Sequence, residues 1–415
     1  MRKIFIGFFI LIFLFCSDKT KKTKIVAKYK NINIYLCEFE KYYSKNFLIN
    51  YKYDNLQARK DFAQRLIEQT LIAQIGLQKN IDTISSVVRN IDIEYGKLLR
   101  EKYLKSIILD TLAPPDKKRL NQILKRYSKI FYIRRIISFD SLLIFKKKDS
   151  IINNFDFYFA KFNKIKHRGI YAEYLKLPWK NIEYEVEDVF YKLQPGEVSG
   201  FINSTYGYYI FKVDSIKDSI NIAQTDKYKT IEDIKKIDMF KRFDYYALKK
   251  IREILLENKP VIFLKKARLL WSEYKNDIEK NLEISIDKNS RFHQIIAFVD
   301  NGRLTLYFDE FINRLSTIPK YYQNITGLNR AIQLALRDKI LEMKAREYGI
   351  EESPCFSVLK NRVKYEQIYF YMLFSTGKTD FKWAHNLLLP KDYKKEDIIY
   401  FEDNLKNLFI NNRLF

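Results

Sequence analysis

Val186-Glu-Asp-Val-Phe-Tyr-Lys-Leu-Gln-Pro-Gly-Glu-Val-Ser-Gly-Phe-Ile202, followed by Thr205-Tyr-Gly-Tyr-Tyr-Ile-Phe-Lys-Val213, is the stretch whose reading decides the fold. Its first part reads as a helix ended by a turn at Pro195-Gly196, because proline presets the turn's φ and glycine accepts the geometry that follows. Gly207 permits a tight approach into a closing strand, Gly207 to Val213, whose apolar run suits a buried position. Upstream, Phe131-Tyr-Ile-Arg-Arg-Ile-Ile-Ser-Phe139 reads as a second buried strand. Residues 131–218 are therefore expected to form a small mixed α/β unit.

Outward from this unit the apolar period becomes helical. In 21–130, Ile67, Leu71 and Ile75 fall on one helix face, and a later helix runs from Val87 towards Leu112. Ala113-Pro114-Pro115-Asp116 forbids its continuation, and a further helix covers Leu120 to Tyr127. On the other side, 228–258 is helical, with Phe240, Phe243, Leu248, Ile251 and Leu255 expected on the buried side. A helical return and linker then completes 219–285.

Beyond the linker the chain repeats itself. Ile25-Val-Ala-Lys-Tyr-Lys-Asn-Ile-Asn-Ile-Tyr-Leu-Cys-Glu-Phe39 returns as Ile296-Ala-Phe-Val-Asp-Asn-Gly-Arg-Leu-Thr-Leu-Tyr-Phe-Asp-Glu-Phe311. Each copy is two β-prone stretches around a turn, and Asn301-Gly302 is the pair best suited to a type I′ hairpin. A helix follows both hairpins. Asn80 and Gly349 then share one helix-ending slot, which favours the left-handed conformation.

Ahead of the first copy, Met1-Arg-Lys precedes an apolar run from Ile4 to Phe15, then Cys16-Ser17-Asp18 and a Lys-rich stretch. The run spans only about 18 Å at ~1.5 Å per residue, short of a hydrocarbon core of about 30 Å, so the profile is that of an export signal. Export puts the mature chain where nucleic acid is scarce. The formal charge of +25, from 75 Lys and Arg against 50 Asp and Glu, is spread in short clusters such as Lys19–Lys24 and Lys146–Lys148, with no zinc-finger or RNA-binding signature. It reads as a solvated basic surface with no nucleic-acid partner, open to attraction towards anionic membranes or acidic clients.

The three cysteines and three histidines form no metal-ligand pattern. G-x-S-x-G, H-E-x-x-H and Walker-type segments are missing too, so neither metal nor cofactor is expected. Cys37 and Cys355 occupy non-equivalent places in the two copies; a disulfide between them is possible, but nothing in the sequence supports it.

The opening stretch resembles the second half of a parvulin-type (PpiC, rotamase) peptidyl-prolyl isomerase domain, with Leu193, Gly196, Glu197 and Ser199 on that family's L-x-x-G-E-x-S and Thr205 and Gly207 leading into its last strand. The flanks are similar to SurA-like foldases, whose N-terminal module opens with a hairpin of the pattern V-A-x-V-N-G-x-x-I-T-x-x-E-F. Cys16 directly after the apolar run resembles the lipobox of bacterial lipoproteins, with Phe15 where that site has a small residue. The resemblance implies an α+β chain: a signal peptide at 1–16, a mainly helical SurA-like module at 21–130, a parvulin-like domain at 131–218, the return and linker at 219–285, and a second helical module at 286–415. Residues 364–415 are either a helical finish or a truncated second isomerase domain.

The family's two active-site histidines correspond to Arg135 and Tyr209, which are the candidate polar residues of the site. Its mid-domain Gly-Gly-Asp-Leu-Gly turn is reduced to His167-Arg168-Gly169-Ile-Tyr-Ala-Glu. Isomerisation needs no nucleophile, only an apolar cradle for an amide twisted over a barrier of about 20 kcal/mol. Phe190, Phe201, Tyr206 and Tyr208 are the aromatic candidates for that cradle or for peptide binding. The resemblance thus implies a folding factor for unfolded or nascent exported polypeptides, in the periplasm or at the outer membrane and lipid-anchored at Cys16. An active prolyl isomerase is the alternative, and a structural surface lipoprotein the third.

Overall fold

Strand β1 (Ile25–Tyr29) pairs antiparallel with β2 (Ile32–Tyr35) across the two-residue turn Lys30-Asn31, and Lys30 takes a positive φ of 50°. The structure, a computed structural model, describes residues 24–50, 54–138, 141–164, 169–204, 207–218, 227–279, 290–299, 302–377 and 380–406. Helix α1 (Leu36–Asn50) starts directly on the hairpin, where the Glu38 carboxylate accepts the Tyr35 N–H at 2.8 Å and caps its first turn. In α2 (Leu56–Gln78) the Asn55 side chain accepts the Ala58 N–H, and Phe62, Leu66, Ile67 and Ala73 are buried. Leu71 and Ile75 are only partly covered. Asn80 takes the left-handed conformation expected of it, with φ 56°. Helix α3 (Ser85–Ile107) ends short of the expected Leu112, in a separate tight turn at Leu109–Thr111.

The described residues through Tyr103 and from Leu255 onward form one compact unit, and Leu104–Ile254 forms another. In the second, Asp116 accepts the Arg119 N–H to cap α4 (Lys117–Tyr127). There follow β3 (Lys129–Ser138), α5 (Ser141–Phe145), α6 (Lys148–Asn153), α7 (Phe155–Lys164), β4 (Ile170–Pro178), α8 (Glu187–Phe190), β5 (Ile202–Ser204) and β6 (Gly207–Asp218). The four strands make one antiparallel sheet of order β4-β3-β6-β5. The two strands read from sequence are its centre, paired with Ile136 opposite Ile210.

Helix α9 (Lys227–Glu257) corrects the sequence reading. Ile234, Asp238, Lys241, Ala247 and Ile254 are its buried residues, whereas Phe240, Phe243, Leu248, Ile251 and Leu255 are partly exposed. Apolar periodicity misses this face because two of its inward positions are charged and matched by charges on α4 and α8.

Back in the first unit lie β7 (Val261–Ile262), α10 (Leu264–Glu279), β8 (Ile295–Val299), β9 (Leu304–Tyr307), α11 (Phe308–Asn313), α12 (Leu328–Glu347), α13 (Pro354–Ser375), α14 (Phe381–Leu388), β10 (Ile399–Tyr400) and α15 (Glu402–Lys406). The repeat extends to single hydrogen bonds. Ile25 opposes Tyr35 and Ile295 opposes Tyr307, each hairpin with a register break before its Ala27 or Ala297. Leu36 N–H donates to Lys24 C=O at 2.8 Å, as Phe308 N–H does to Gln294 C=O at 2.9 Å. Gly349, with φ 77°, mirrors Asn80.

Ile295, not Ile296, is thus the counterpart of Ile25, because the second loop runs from Val299 to Leu304 and is two residues longer than Lys30-Asn31. For the same reason the second copy lacks the two-residue turn expected of Asn301-Gly302. Gly302 has φ 94°, while Asn301 lies outside the described residues.

Each hairpin is completed by a two-residue strand from elsewhere in the chain. Strand β10 pairs with β1 and β7 with β8, and the N–H of Phe401 donates to Val26 C=O (3.0 Å) as that of Phe263 does to Ile296 C=O (2.8 Å). Among the described residues from 364 to 406 the chain is mainly helical and returns to the first hairpin, with β10 as its only strand. Helices α2 and α13 share a core of Ile72, Ala73, Ile368, Met372 and Leu373. A Cβ on Gly76 would collide with Ile368, so glycine sets how closely these helices cross.

Candidate functional site

The pleat of β3 and β6 sends alternate side chains to opposite faces of the sheet. Phe131, Ile133, Ile137, Tyr209, Phe211 and Val213 join Phe190 in one core. Ile136 and Ile210 face the other way, onto Phe155, Phe159 and Phe162 of α7. The quoted stretch supplies the scaffold. Gly196 has φ 91° and its N–H donates to Val213 C=O at 2.7 Å. The buried Ser199 hydroxyl accepts the Phe211 N–H at 2.9 Å, extending the ladder beside β6. At Gly207, φ is 140° and a Cβ would press to 3.2 Å on Ser138 C=O, so the approach predicted there exists and admits only glycine.

Arg135 and Tyr209, diagonal neighbours on β3 and β6, meet on the Phe190 side. The guanidinium lies over the tyrosine ring at 5.2 Å. Its Nε and Nη2 donate to Glu173 Oε1 across the strand pair at 2.9 and 2.7 Å. The Tyr209 hydroxyl donates to Glu183 Oε2 at 3.0 Å, and Glu183 Oε1 stands 3.9 Å from Arg135 Nη1. Burial pushes the Glu183 carboxyl up, against the opposing pull of hydrogen bonds from Tyr209 and Ser204 and of the Arg135 charge. Burial, then the Glu183 charge, pushes the Tyr209 phenol up as well. Tyr209, Glu183, Arg135 and Glu173 thus form one polar chain, hydrogen-bonded at its two ends and joined in the middle by the 3.9 Å ion pair of Arg135 and Glu183, with Tyr209 almost wholly buried at 1% exposure.

The aromatic candidates do not share one wall. Phe190 is buried and stacks on Phe211 at 4.2 Å, with Phe131 edge-on at 5.6 Å. Phe201 and Tyr208 stack on each other at 6.1 Å and contact the core on the opposite face, where Phe145 meets Phe201 at 5.7 Å. Tyr206 and Cys16 lie outside the described residues. Glu183 and Glu173 were not anticipated. Neither has a motif, and only the strand register and the turns around 179–186 bring their carboxylates to Arg135 and Tyr209.

Beneath this face, α8 is fixed by buried charge. Glu187 accepts from Lys241 and from Arg119 (2.8 Å) and Arg126 (3.1 Å), and Asp238 pairs with Arg119 and Arg242 at 2.9 Å each. Lys241 also donates to Trp179 C=O at 3.0 Å and lies 4.4 Å from the centre of its ring. With Lys241 and Asp238 fully buried, this cluster fixes the start of α8, while apolar packing on Phe211 and Phe131 holds Phe190 at its end. The site offers apolar surface and fixed donors. It presents no activated nucleophile among the described residues.

A second apolar surface belongs to the other unit. Phe374, Phe381, Trp383 and Leu387 on α13 and α14 are exposed, with Phe374 and Phe381 edge-to-face at 5.6 Å. Exposed aromatic clusters of this kind are uncommon on a surface with no binding task.

No family model matches the chain, and no curated protein matches it. Among solved structures the chain is similar to the peptidylprolyl isomerase PrsA of Bacillus anthracis, at 17% identity over 60% of this chain and 98% of that one, with a TM-score of 0.25. It is also similar to PrsA of Bacillus cereus, at 15% identity over 55% and 92%, with a TM-score of 0.24. A third similar structure is described as one of two SurA-like chaperones of Campylobacter jejuni, at 15% identity over 57% and 98%, with a TM-score of 0.19.

Proposed function

We propose that this chain is an exported folding factor that holds unfolded secreted or outer-membrane polypeptides, with its isomerase-like domain used for peptide binding and little or no proline isomerisation. The observation that carries the reading is the sheet β4-β3-β6-β5. In it the L-x-x-G-E-x-S and Gly207 segments make the turn and the closing strand that the family resemblance implies, while the polar pair of the site is Arg135 and Tyr209 in place of histidines. A tyrosine hydroxyl already given to Glu183 is poorly placed to assist a turning amide. The exposed aromatics of α13 and α14 are the second surface offered to a client, which suits recognition of unfolded apolar segments. The leader fits delivery to the periplasm or outer membrane with a lipid on Cys16.

Two assays run side by side test the proposal: isomerisation of a proline-containing tetrapeptide, and suppression of aggregation of an unfolded outer-membrane protein. Suppression without turnover is the expected result. Turnover that disappears in Tyr209→Phe and Arg135→Ala would establish an active isomerase instead, and neither effect would leave a structural lipoprotein. Mass spectrometry of the mature N-terminus checks the anchor: an unmodified start downstream of Cys16 removes it.

A further inference from the structure

Cys37 is the second residue of α1 and Cys355 the second of α13, so one comes from each copy of the repeat. Both are buried, at 6% and 1% exposure, and the two thiols are hydrogen-bonded to each other. The helices that carry them are held together independently, because the Arg362 guanidinium donates to Glu38 Oε2 at 2.7 Å in a pair whose residues stand 324 positions apart and are both buried. Arg362 lies two turns beyond Cys355, and Glu38 follows Cys37. The repeat does not explain the thiol contact: by the alignment of Gly349 with Asn80 the counterpart of Cys355 is Ser86, the second residue of α3, and by the hairpin alignment that of Cys37 is Asp309. The only other cysteine of the chain is Cys16.

We infer that Cys37 and Cys355 are a disulfide-forming pair, oxidised when the exported chain meets a thiol–disulfide oxidant, and that the bond clamps α1 of the first copy to α13 of the second. The oxidant is a disulfide of the oxidoreductase class or oxidised glutathione. The Cys37 thiolate attacks it, its S–S bond breaks, one sulfur leaves and takes a proton, and a mixed disulfide remains on Cys37. The Cys355 sulfur then attacks the Cys37 sulfur and releases the oxidant's second sulfur, which is protonated in turn. Two electrons and two protons pass to the oxidant, and one S–S bond replaces another. The hydrogen bond to Cys355, then burial, pushes the Cys37 thiol up, so the folded dithiol reacts slowly and the bond is set while the chain folds. Linking residues so distant in sequence constrains the unfolded chain strongly.

The test uses the full chain in two preparations: purified from its exporting host without reductant, and refolded from the reduced unfolded state in a mixture of oxidised and reduced glutathione. Each is alkylated, digested and analysed by mass spectrometry. A Cys37–Cys355 cross-linked peptide, split by reductant, in either preparation is the expected result. Recovery of both cysteines as alkylated thiols from both preparations, or a cross-link joining two chains, overturns the inference. Reductant should also lower the thermal midpoint of the oxidised chain by about 5 °C or more. It should have no such effect on Cys37→Ser or Cys355→Ser, a comparison made within each variant and so independent of how well the variant folds.

Discussion

Glu183 carries the clearest pH signature of any single residue in the candidate site. Burial raises its carboxyl above the unfolded value, so the native state binds a proton more readily than the unfolded chain does. The stability tied to this proton is present at low pH and is lost as pH rises through the folded value. Glu183→Gln keeps an acceptor for the Tyr209 hydroxyl and removes the titration. Urea midpoints measured from pH 4 to 7 should therefore show the variant gaining on the parent as pH rises, and parallel profiles would contradict this. A second residue-scale prediction concerns Lys241, fully buried against Glu187 and Trp179. Lys241→Met leaves Glu187 with only its two arginines and should cost about 3 kcal/mol in urea unfolding, where a loss below about 1 kcal/mol would mean that the arginines suffice. Neither residue was legible in the sequence. Apolar periodicity assigns charged side chains to solvent, and only three-dimensional pairing reveals them inside. Gly207 and Gly196 were legible, because a backbone that only glycine accepts is a local property.

The hairpin–helix element was readable because its signals are local: alternating apolar residues, a turn, and an acid three residues into the helix. The same acid has different duties in the two copies. Glu38 caps Tyr35 and is also the buried partner of Arg362. Glu310 caps Tyr307 and otherwise pairs with Lys339 on a side chain that is 39% exposed. Glu38→Ala should therefore cost about 3 kcal/mol, as breaking a buried pair does, and Glu310→Ala about 1 kcal/mol, as losing a cap does. Denaturant titration of the two variants checks the ranking, and equal costs would contradict it. The completing strands β7 and β10 escaped the sequence reading because two residues carry no period, and their partners are distant along the chain. The offset of the second hairpin had a similar cause, since a loop longer by two residues leaves no trace in the apolar pattern.

Across the whole molecule, the C-terminal residues return to the first hairpin. The Asn404 side chain donates to Ile25 C=O at 2.9 Å, Lys60 pairs with Glu402, and β10 occupies the edge of β1. Ending the chain at Asp397 should bare that edge, lower the unfolding midpoint of this unit and speed trypsin cleavage within 25–50, whereas unchanged cleavage would contradict the completing role of β10. The family resemblance was legible in one continuous stretch because its motif residues act on backbone geometry. The two-copy packing of α2 on α13 was not, since it rests on Gly76, whose significance appears only with Ile368 against it. The most direct test of the account as a whole is the binding of the full chain to one outer-membrane polypeptide, followed by fluorescence anisotropy with the polypeptide kept unfolded in one sample and folded in another. The account predicts saturable micromolar binding to the unfolded form and none to the folded form. No binding to either, or equal binding to both, would contradict it.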